Sequence, residues 1–323
     1  MTRFPVAHWA VATTLLLMAL PAEAALIPPF MLDSVAAIGV KTYVSSSPGQ
    51  IPKLEWFTAG TGFFYGHKVK DDPDPLKRQY KVYLVTAAHV IAEFRAEEPG
   101  HALEVRINSK DPSGEAQTFD IADGAWFLHP KYTPGRPDDD VAVVQVDANK
   151  LSGLGAQFIP DDTMSANVAK LKTIGTSAGD GVFVLGFPMN LAGEERNYTI
   201  VRGGTIARIS ELLDASASTF LLDAFVFPGN SGSPVVVRPD LGGIQGTPVN
   251  RQSFLIGVVI DYVPYTDVAV SQQTHRPRIT FEENSGLADV IPLDRVDEAI
   301  AADDAHGAPE SHTATGRSGN GQD

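Results

Sequence analysis

Residues 229–234 read Gly-Asn-Ser-Gly-Ser-Pro, and this stretch is the strongest indication of both fold and chemistry. A serine between glycines can lie on a tight, exposed turn, because glycine adopts backbone conformations that other residues avoid. On such a turn the N–H groups of Gly229 and Ser231 can converge beside the Ser231 hydroxyl. A nucleophile beside two converging N–H donors is what acyl transfer requires.

Two further motifs lie upstream of this turn. Residues 84–90 read Leu-Val-Thr-Ala-Ala-His-Val, an apolar run of β type that ends in His89. Residues 138–146 read Asp-Asp-Asp-Val-Ala-Val-Val-Gln-Val, an acidic run directly before a hydrophobic strand. A single histidine, an acidic run or a Gly/Ser-rich turn is usually only structural. The three together, in the order His, Asp, Ser, predict nucleophilic catalysis.

The combination resembles the trypsin/chymotrypsin-like serine proteases over residues 34–270. The residues that carry the resemblance are Thr-Ala-Ala-His at 86–89, Asp-Val-Ala-Val at 140–143 and the nucleophile turn at 229–234. That family shares the order His, Asp, Ser, whereas the subtilisin and α/β-hydrolase families use other orders. Asp140 is selected from the acidic run because it directly precedes Val-Ala-Val.

Two branches of the family are similar to particular stretches. Residues 223–231 are similar to the bacterial high-temperature-requirement (Deg-type) proteases, and Ser-Gly-Ser-Pro at 231–234 is similar to the glutamyl endopeptidases. Deg-type proteases carry peptide-binding PDZ modules, but the stretch after Val270 is too short for one. The glutamyl branch uses a histidine on a strand that corresponds to residues 257–262, where this chain has none. We therefore expect neither PDZ-mediated control nor glutamate specificity.

The resemblance implies a serine endopeptidase that works through an acyl-enzyme. His89 would be the general base, Asp140 would orient it, and Ser231 would be the nucleophile. The N–H groups of Gly229 and Ser231 would form the oxyanion hole. The alternative is a catalytically silent protein of the same fold that binds peptides.

Substrate specificity is predicted from spacing relative to Ser231. Phe225 is expected near the base of the specificity pocket, with Ile260, Asp261 and Tyr262 along one wall. A phenylalanine there would favour small or medium apolar substrate side chains. Asp261 could instead attract a basic side chain.

Composition excludes several function classes. The chain has 323 residues, a formal net charge of −14 and no cysteine. Such an acidic protein repels phosphate backbones, so nucleic acid is not an expected partner. Disulfides and thiol catalysis are excluded. Residues 89–93 offer only one helical His/Glu pair, too little for a zinc hydrolase, and we predict no metal and no cofactor.

The N-terminus resembles an export signal. Arg3 gives a positive start, residues 11–20 are apolar, and residues 22–24 read Ala-Glu-Ala, a small-x-small cleavage site. We expect residues 1–24 to be a signal peptide of an exported bacterial protein, periplasmic or secreted; an uncleaved anchor is the alternative. No later segment is predicted to cross a membrane, and the partners expected are protein or peptide substrates. The oligomeric state is not predictable.

Short apolar runs separated by Gly, Pro, Asp and Asn predict an all-β protein. We expect two six-stranded antiparallel barrels of the chymotrypsin type, with the active site between them. The barrels are assigned to residues 25–155 and 156–302, and residues 303–323 to a disordered tail. Residues 90–97 are predicted as a short helix and 287–302 as a C-terminal helix. The predicted strands are 36–44, 61–65, 80–86, 103–107, 141–146, 181–185, 198–209, 220–225, 234–237 and 254–260.

Overall fold

The computed structural model describes residues 26–44, 51, 53–99, 101–147, 151, 153–240, 242, 246 and 249–307. The predicted signal peptide at residues 1–24 lies outside this part of the chain, as does the predicted tail beyond residue 307. The described chain forms two β units and five α-helices, in agreement with the predicted double barrel.

The first β unit is a curled sheet of eight strands. Their order is β5-β4-β1-β2-β3-β7-β6, and β8 pairs with β2. Every pairing is antiparallel except that of β2 with β8. The strands are β1 (Val35–Val44), β2 (Lys53–Lys70), β3 (Gln79–Thr86), β4 (Leu103–Ile107), β5 (Gln117–Ile121), β6 (Phe127–Leu128), β7 (Ala142–Val146) and β8 (Ile159–Pro160). The sheet has two strands more than the six expected. Strands β6 and β8 have only two residues each, which is too short to show an alternating pattern in the sequence.

The second β unit is a closed barrel of six strands, as predicted. The order around it is β10-β11-β14-β13-β12-β9, and β9 pairs with β10 to close it. The strands are β9 (Gly181–Gly186), β10 (Ile200–Arg208), β11 (Phe220–Asp223), β12 (Pro234–Val237), β13 (Leu255–Val270) and β14 (Pro277–Pro292). Strands β13 and β14 are 16 residues each, much longer than their neighbours.

Within the described residues the α-helices that accompany the sheets are α1 (Pro29–Asp33), α2 (Ala88–Glu97), α3 (Val168–Ile174), α4 (Ser210–Leu213) and α5 (Leu293–Gly307). Helix α2 confirms the predicted helix after His89. The C-terminal helix was predicted to begin at residue 287, which is wrong, because residues 287–292 complete β14. Ala288 and Val290 are buried while Leu287 and Asp289 are less so, an alternation of strand type. None of the helices described here is long and apolar enough to cross a membrane.

Helix α5 reaches across to the first sheet. The Tyr65 hydroxyl donates to Asp297 at 3.1 Å, and the Tyr83 hydroxyl donates to Asp304 at 2.8 Å. The helix therefore continues past residue 303, where the disordered tail was expected to begin. Strand β8 likewise pairs with β2 although it follows residue 155. The division of the chain at residue 155 therefore stays a prediction. Buried side chains from both units also form one hydrophobic cluster. This shared core holds the two sides of the cleft in place.

Candidate active site

The nucleophile turn lies between β11 and β12 and depends on two glycines. Gly229 and Gly232 have φ values of +96° and +86°, in the left-handed region. A Cβ atom at Gly229 would lie 2.5 Å from the carbonyl oxygen of Phe187, and one at Gly232 would collide with the carbonyl oxygen of Thr61. The Thr61 hydroxyl donates to the carbonyl of Gly229 at 2.6 Å. Glycine is therefore required at positions 229 and 232, because neither leaves room for a side chain.

Hydrogen bonds to the second barrel hold the same turn. The N–H of Gly232 donates to Val259 (2.8 Å), and the N–H of Val259 donates to Ser233 (2.9 Å). Buried Asn230 closes a smaller loop, donating from its N–H to Phe227 (2.9 Å) and accepting at its side-chain oxygen from the Phe227 N–H (3.1 Å). The position of the Ser231 backbone is therefore set without use of its hydroxyl.

Strand pairing brings His89 and Asp140 to one edge of the first sheet. Strands β3 and β7 run antiparallel, with Thr86 opposite Ala142. His89 follows the end of β3 in the first turn of α2, and Asp140 precedes the start of β7. Residues just beyond paired antiparallel strand ends must lie close together.

Asp140 accepts two hydrogen bonds from His89. Its Oδ2 accepts from the ring Nδ1 at 2.7 Å, and its Oδ1 accepts from the main-chain N–H at 2.8 Å. Asp140 is buried, with 6% of its surface exposed. A carboxylate acceptor places a proton on Nδ1, which leaves Nε2 free to accept a proton.

The charge around His89 favours its protonated form. Burial by itself favours the neutral ring, but the hydrogen bond and charge of Asp140 outweigh it, with smaller contributions from Glu93 and Asp261. The pKa of His89 is consequently raised above its usual value. A base of raised pKa is well suited to take a proton from a hydroxyl near neutral pH.

Ser231 faces the same cleft as His89. The cleft has a volume of about 510 Å³, and His89, Asp140 and Ser231 all line it. The Ser231 hydroxyl donates to the main-chain carbonyl of Ile260 at 3.3 Å. Within the described chain no hydrogen bond joins it to His89. Catalytic hydrogen bonds are often long in proteases without substrate and tighten when substrate binds.

The predicted oxyanion donors are available. Neither the N–H of Gly229 nor that of Ser231 donates to an acceptor among the residues that the structure describes. Both residues line the cleft. If they bind a substrate oxygen as predicted, no described hydrogen bond has to break.

The predicted specificity residues separate into two groups. Ile260, Asp261 and Tyr262 line the same cleft as Ser231, and their role in specificity stays a prediction. Phe225 does not line it. The residue is 52% exposed and its ring stacks on that of Phe227, with ring centroids 6.5 Å apart. A phenylalanine at the base of the pocket is therefore not the feature that shapes this cleft.

Other cleft residues were not foreseen from the sequence. Asp289 lies directly opposite Asp261 in the β13–β14 pairing, but its segment had been assigned to a helix. Burial first, then the charges of Asp261 and Asp138, raise the pKa of Asp289. Across the cleft, burial and the charges of neighbouring carboxylates raise the pKa of Tyr132 to about 12. No sequence signal marked Tyr132.

A second cluster lies behind Asp140. His129, Asp139 and Glu298 present ligand atoms within 4.8 Å of one another, a spacing that could suit a metal ion. Arg295 already forms ion pairs there, with its Nε 3.2 Å from Asp139 and its Nη1 2.8 Å from Glu298. The guanidinium supplies the positive charge that these carboxylates need, so the cluster is explained as an ion-pair network.

Comparison with known proteins identifies the family of this chain. Residues 60–240, more than half of the chain, match the family described as the trypsin-like peptidase domain. Among solved structures, human heparin binding protein is similar, with 14% sequence identity, a TM-score of 0.48, and coverage of 88% of this chain and 96% of that chain. No curated protein sequence matches. The chain therefore belongs to the trypsin-like peptidase domain family.

Proposed function

We propose that this protein is a serine endopeptidase in which His89, Asp140 and Ser231 form a catalytic triad. The observation that carries the proposal is the double hydrogen bond from His89 to Asp140, at 2.7 and 2.8 Å, in a cleft shared with Ser231. Protein or peptide substrates are the proposed occupants of this cleft, which has a volume of about 510 Å³. No step of this chemistry needs a metal or cofactor.

Acylation begins when the Ser231 hydroxyl turns from Ile260 towards His89. The Nε2 atom takes its proton while the oxygen attacks the substrate carbonyl. Asp140 holds the Nδ1 proton and stabilises the imidazolium that forms. The N–H groups of Gly229 and Ser231 stabilise the oxyanion, and one such donor is typically worth about 3–4 kcal/mol in the transition state.

The imidazolium of His89 then protonates the leaving amine, which breaks the peptide bond and leaves an ester on Ser231. A water molecule enters, gives its proton to His89 and attacks the ester carbonyl. Collapse of the second intermediate returns the proton to Ser231 and releases the acid.

Within the family we propose a place near the Deg-type and glutamyl-endopeptidase branches, on the strength of residues 223–234. No PDZ-dependent control is part of this proposal. Residues 277–307 belong to β14 and α5 of the peptidase fold. Nucleic acid is not proposed as a partner of so acidic a chain.

We also propose that a bacterial cell exports the protein to the periplasm or the medium. The support is the charged start, apolar stretch and Ala-Glu-Ala site within residues 1–24. Sequencing the N-terminus of the exported protein should give a chain that begins at Ala25. A chain that keeps residues 1–24 would contradict signal cleavage.

One observation favours a second candidate, a catalytically silent peptide-binding protein. The Ser231 hydroxyl is hydrogen-bonded to the Ile260 carbonyl, and no described hydrogen bond links it to the imidazole. A site locked in this arrangement would retain a peptide-binding cleft without an activated nucleophile.

Labelling with a fluorophosphonate separates the two candidates. The reagent reacts with an activated serine, and mass spectrometry locates the modified residue. Labelling at Ser231 that is lost in His89→Ala supports the endopeptidase. His101→Ala is the matched control, because the side chain of His101 is 72% exposed and His101 does not line the cleft. A folded wild-type protein that takes no label would favour the silent candidate.

A further inference from the structure

Strands β13 and β14 continue far beyond the barrel as a two-stranded ribbon, which we define as residues 264–283. Every residue of the ribbon is exposed except Ser271, which is partly buried. Strand pairing continues along its length, from Tyr265 opposite Glu283 to Val270 opposite Pro277. Two-stranded ribbons are marginally stable in water, so one that extends alone into solvent calls for a functional reason.

One edge of the ribbon runs directly from the active site. Strand β12 pairs with β13 only as far as Val258, and beyond that residue no described strand pairs with the same edge. The unpaired edge begins beside Ser231, whose hydroxyl contacts the Ile260 carbonyl. Val263 and Pro264, at the root of the ribbon, still line the cleft. The cleft and the free edge therefore form one continuous surface.

One face of the ribbon carries three large apolar side chains. Cross-strand partners share a face, and Tyr265 pairs with Glu283, Asp267 with Phe281, and Ala269 with Ile279. This face therefore presents Tyr265, Ile279 and Phe281, which are 60%, 56% and 52% exposed. We call these three residues the apolar stripe. Exposed apolar groups that cluster in this way commonly mark a binding surface.

We propose that the ribbon is an extension of the substrate-binding cleft that captures unfolded polypeptide. This inference rests on the proposed endopeptidase function. The flank of the substrate that leaves the cleft along β13 adds to the free edge as an extended strand, and its apolar side chains pack on the apolar stripe. Main-chain hydrogen bonds of this kind bind strands with little dependence on sequence, and side-chain contacts add preference.

The ribbon also determines the chemistry and length of the preferred substrate. Asp267 and Glu283 lie on the face of the apolar stripe, so basic residues among apolar ones are favoured over acidic ones. From Pro264 to Val270 the strand extends roughly 20 Å at about 3.4 Å per residue. A substrate needs about six residues beyond the cleft to use the whole edge.

The test compares a long and a minimal substrate. Fluorescein-labelled casein is an unfolded polypeptide that can reach the ribbon, and p-nitrophenyl acetate tests acyl chemistry with a group too small to do so. The test variant is Tyr265→Ser/Ile279→Ser/Phe281→Ser. The control variant is Val268→Ser/Val270→Ser, which removes apolar groups that are 41% and 52% exposed and do not belong to the apolar stripe.

We expect the test variant to hydrolyse p-nitrophenyl acetate at the wild-type rate and to lose roughly tenfold in kcat/KM for casein. The control variant should keep both activities. Equal casein cleavage by wild type and test variant, or an equal loss in the control, would overturn the inference. Wild-type protein with a series of peptides lengthened on each flank gives a second test that needs no variant: kcat/KM should rise with length on one flank and then level off.

Two further readouts separate this inference from failure of the proposed function. If the wild type hydrolyses neither substrate, the endopeptidase proposal fails. Binding of labelled casein to the Ser231→Ala chain, measured by fluorescence anisotropy, then tests the ribbon as a binding surface independently of catalysis. The Ser231→Ala chain is compared with and without the test or control substitutions. If the test substitutions weaken casein binding about tenfold and the control substitutions do not, the ribbon is supported as a polypeptide-binding surface. Absence of binding refutes it. A wild-type dimer that the test variant converts to a monomer would show instead that a second copy covers the apolar stripe.

Discussion

Replacement of Asp140 by asparagine tests the triad most directly, because it keeps the shape of the side chain and changes its hydrogen bonding. Both oxygens of Asp140 accept from His89, one from the main-chain N–H at 2.8 Å and one from Nδ1 at 2.7 Å. Asparagine offers one acceptor and one donor group in the same place. It can therefore satisfy only one of these two donors.

The geometry determines which hydrogen bond survives. The main-chain N–H of His89 cannot change its protonation, and facing it with the amide NH₂ would leave a donor unsatisfied at a cost of about 1–3 kcal/mol. The amide oxygen should therefore stay on the main chain, and the NH₂ should face Nδ1. The imidazole must then carry its proton on Nε2, where it cannot accept the Ser231 proton. We expect kcat to fall by roughly 10³- to 10⁴-fold with little loss of stability.

The assay is kcat for peptide hydrolysis and the rate of fluorophosphonate labelling, with thermal unfolding as a check of the fold. Asp138→Asn is the matched control, since the Asp138 carboxylate accepts from the Ser218 hydroxyl and makes no described hydrogen bond to His89. A value of kcat within tenfold of wild type in Asp140→Asn would refute the reasoning. An equal loss in Asp138→Asn would refute the assignment of Asp140.

Three further outcomes follow from the structure. The general base must be neutral, so kcat/KM should fall as pH drops through the raised pKa of His89. The charge of Glu93 contributes to that raised pKa, so Glu93→Gln should move the midpoint of the kcat/KM profile to lower pH. Gly229→Ala should destabilise the protein by about 1–3 kcal/mol and abolish labelling, because φ is +96° and the new Cβ would lie 2.5 Å from the Phe187 carbonyl; thermal unfolding and labelling measure the two effects. Burial raises the pKa of Asp297 to about 6, above its unfolded value of 3.8, so its ionisation costs stability as pH rises from 3.8 through about 6. Asp297→Asn should accordingly raise Tm at pH 8 and leave it nearly unchanged at pH 3, and a lower Tm at pH 8 would contradict this.

The sequence was most informative where function requires a local motif. The turn at 229–234 needs glycine at two left-handed positions, so its conformation is visible in the residue types themselves. His89 and Asp140 flank strands whose apolar runs are unambiguous, and the pairing of β3 with β7 follows from the double-barrel fold. These features could be predicted because short-range sterics and hydrophobic patterning determine them.

Prediction failed where tertiary contacts decide. The segment 287–292 has apolar residues that suit either a helix or a strand, and only pairing with β11 and β13 selects the strand. The ribbon was missed for the same reason, since residues 277–283 are polar and mixed and gain their strand structure from pairing with β13. Phe225 was placed by counting from Ser231, but counting cannot show that its ring stacks outward on Phe227.

The residue next to Asp140 connects the active site to the C-terminal helix. Asp139 has a φ of +60°, which is unfavourable for a side chain other than glycine, and such strain persists only where the surroundings enforce it. Here its carbonyl accepts from the N–H of Val141 at 2.9 Å, and its carboxylate pairs with Arg295 of α5 at 3.2 Å. The left-handed turn directs the next residue, Asp140, away from the ion-pair network and towards His89. Arg295 thus links helix α5 to the backbone turn that presents Asp140 to His89.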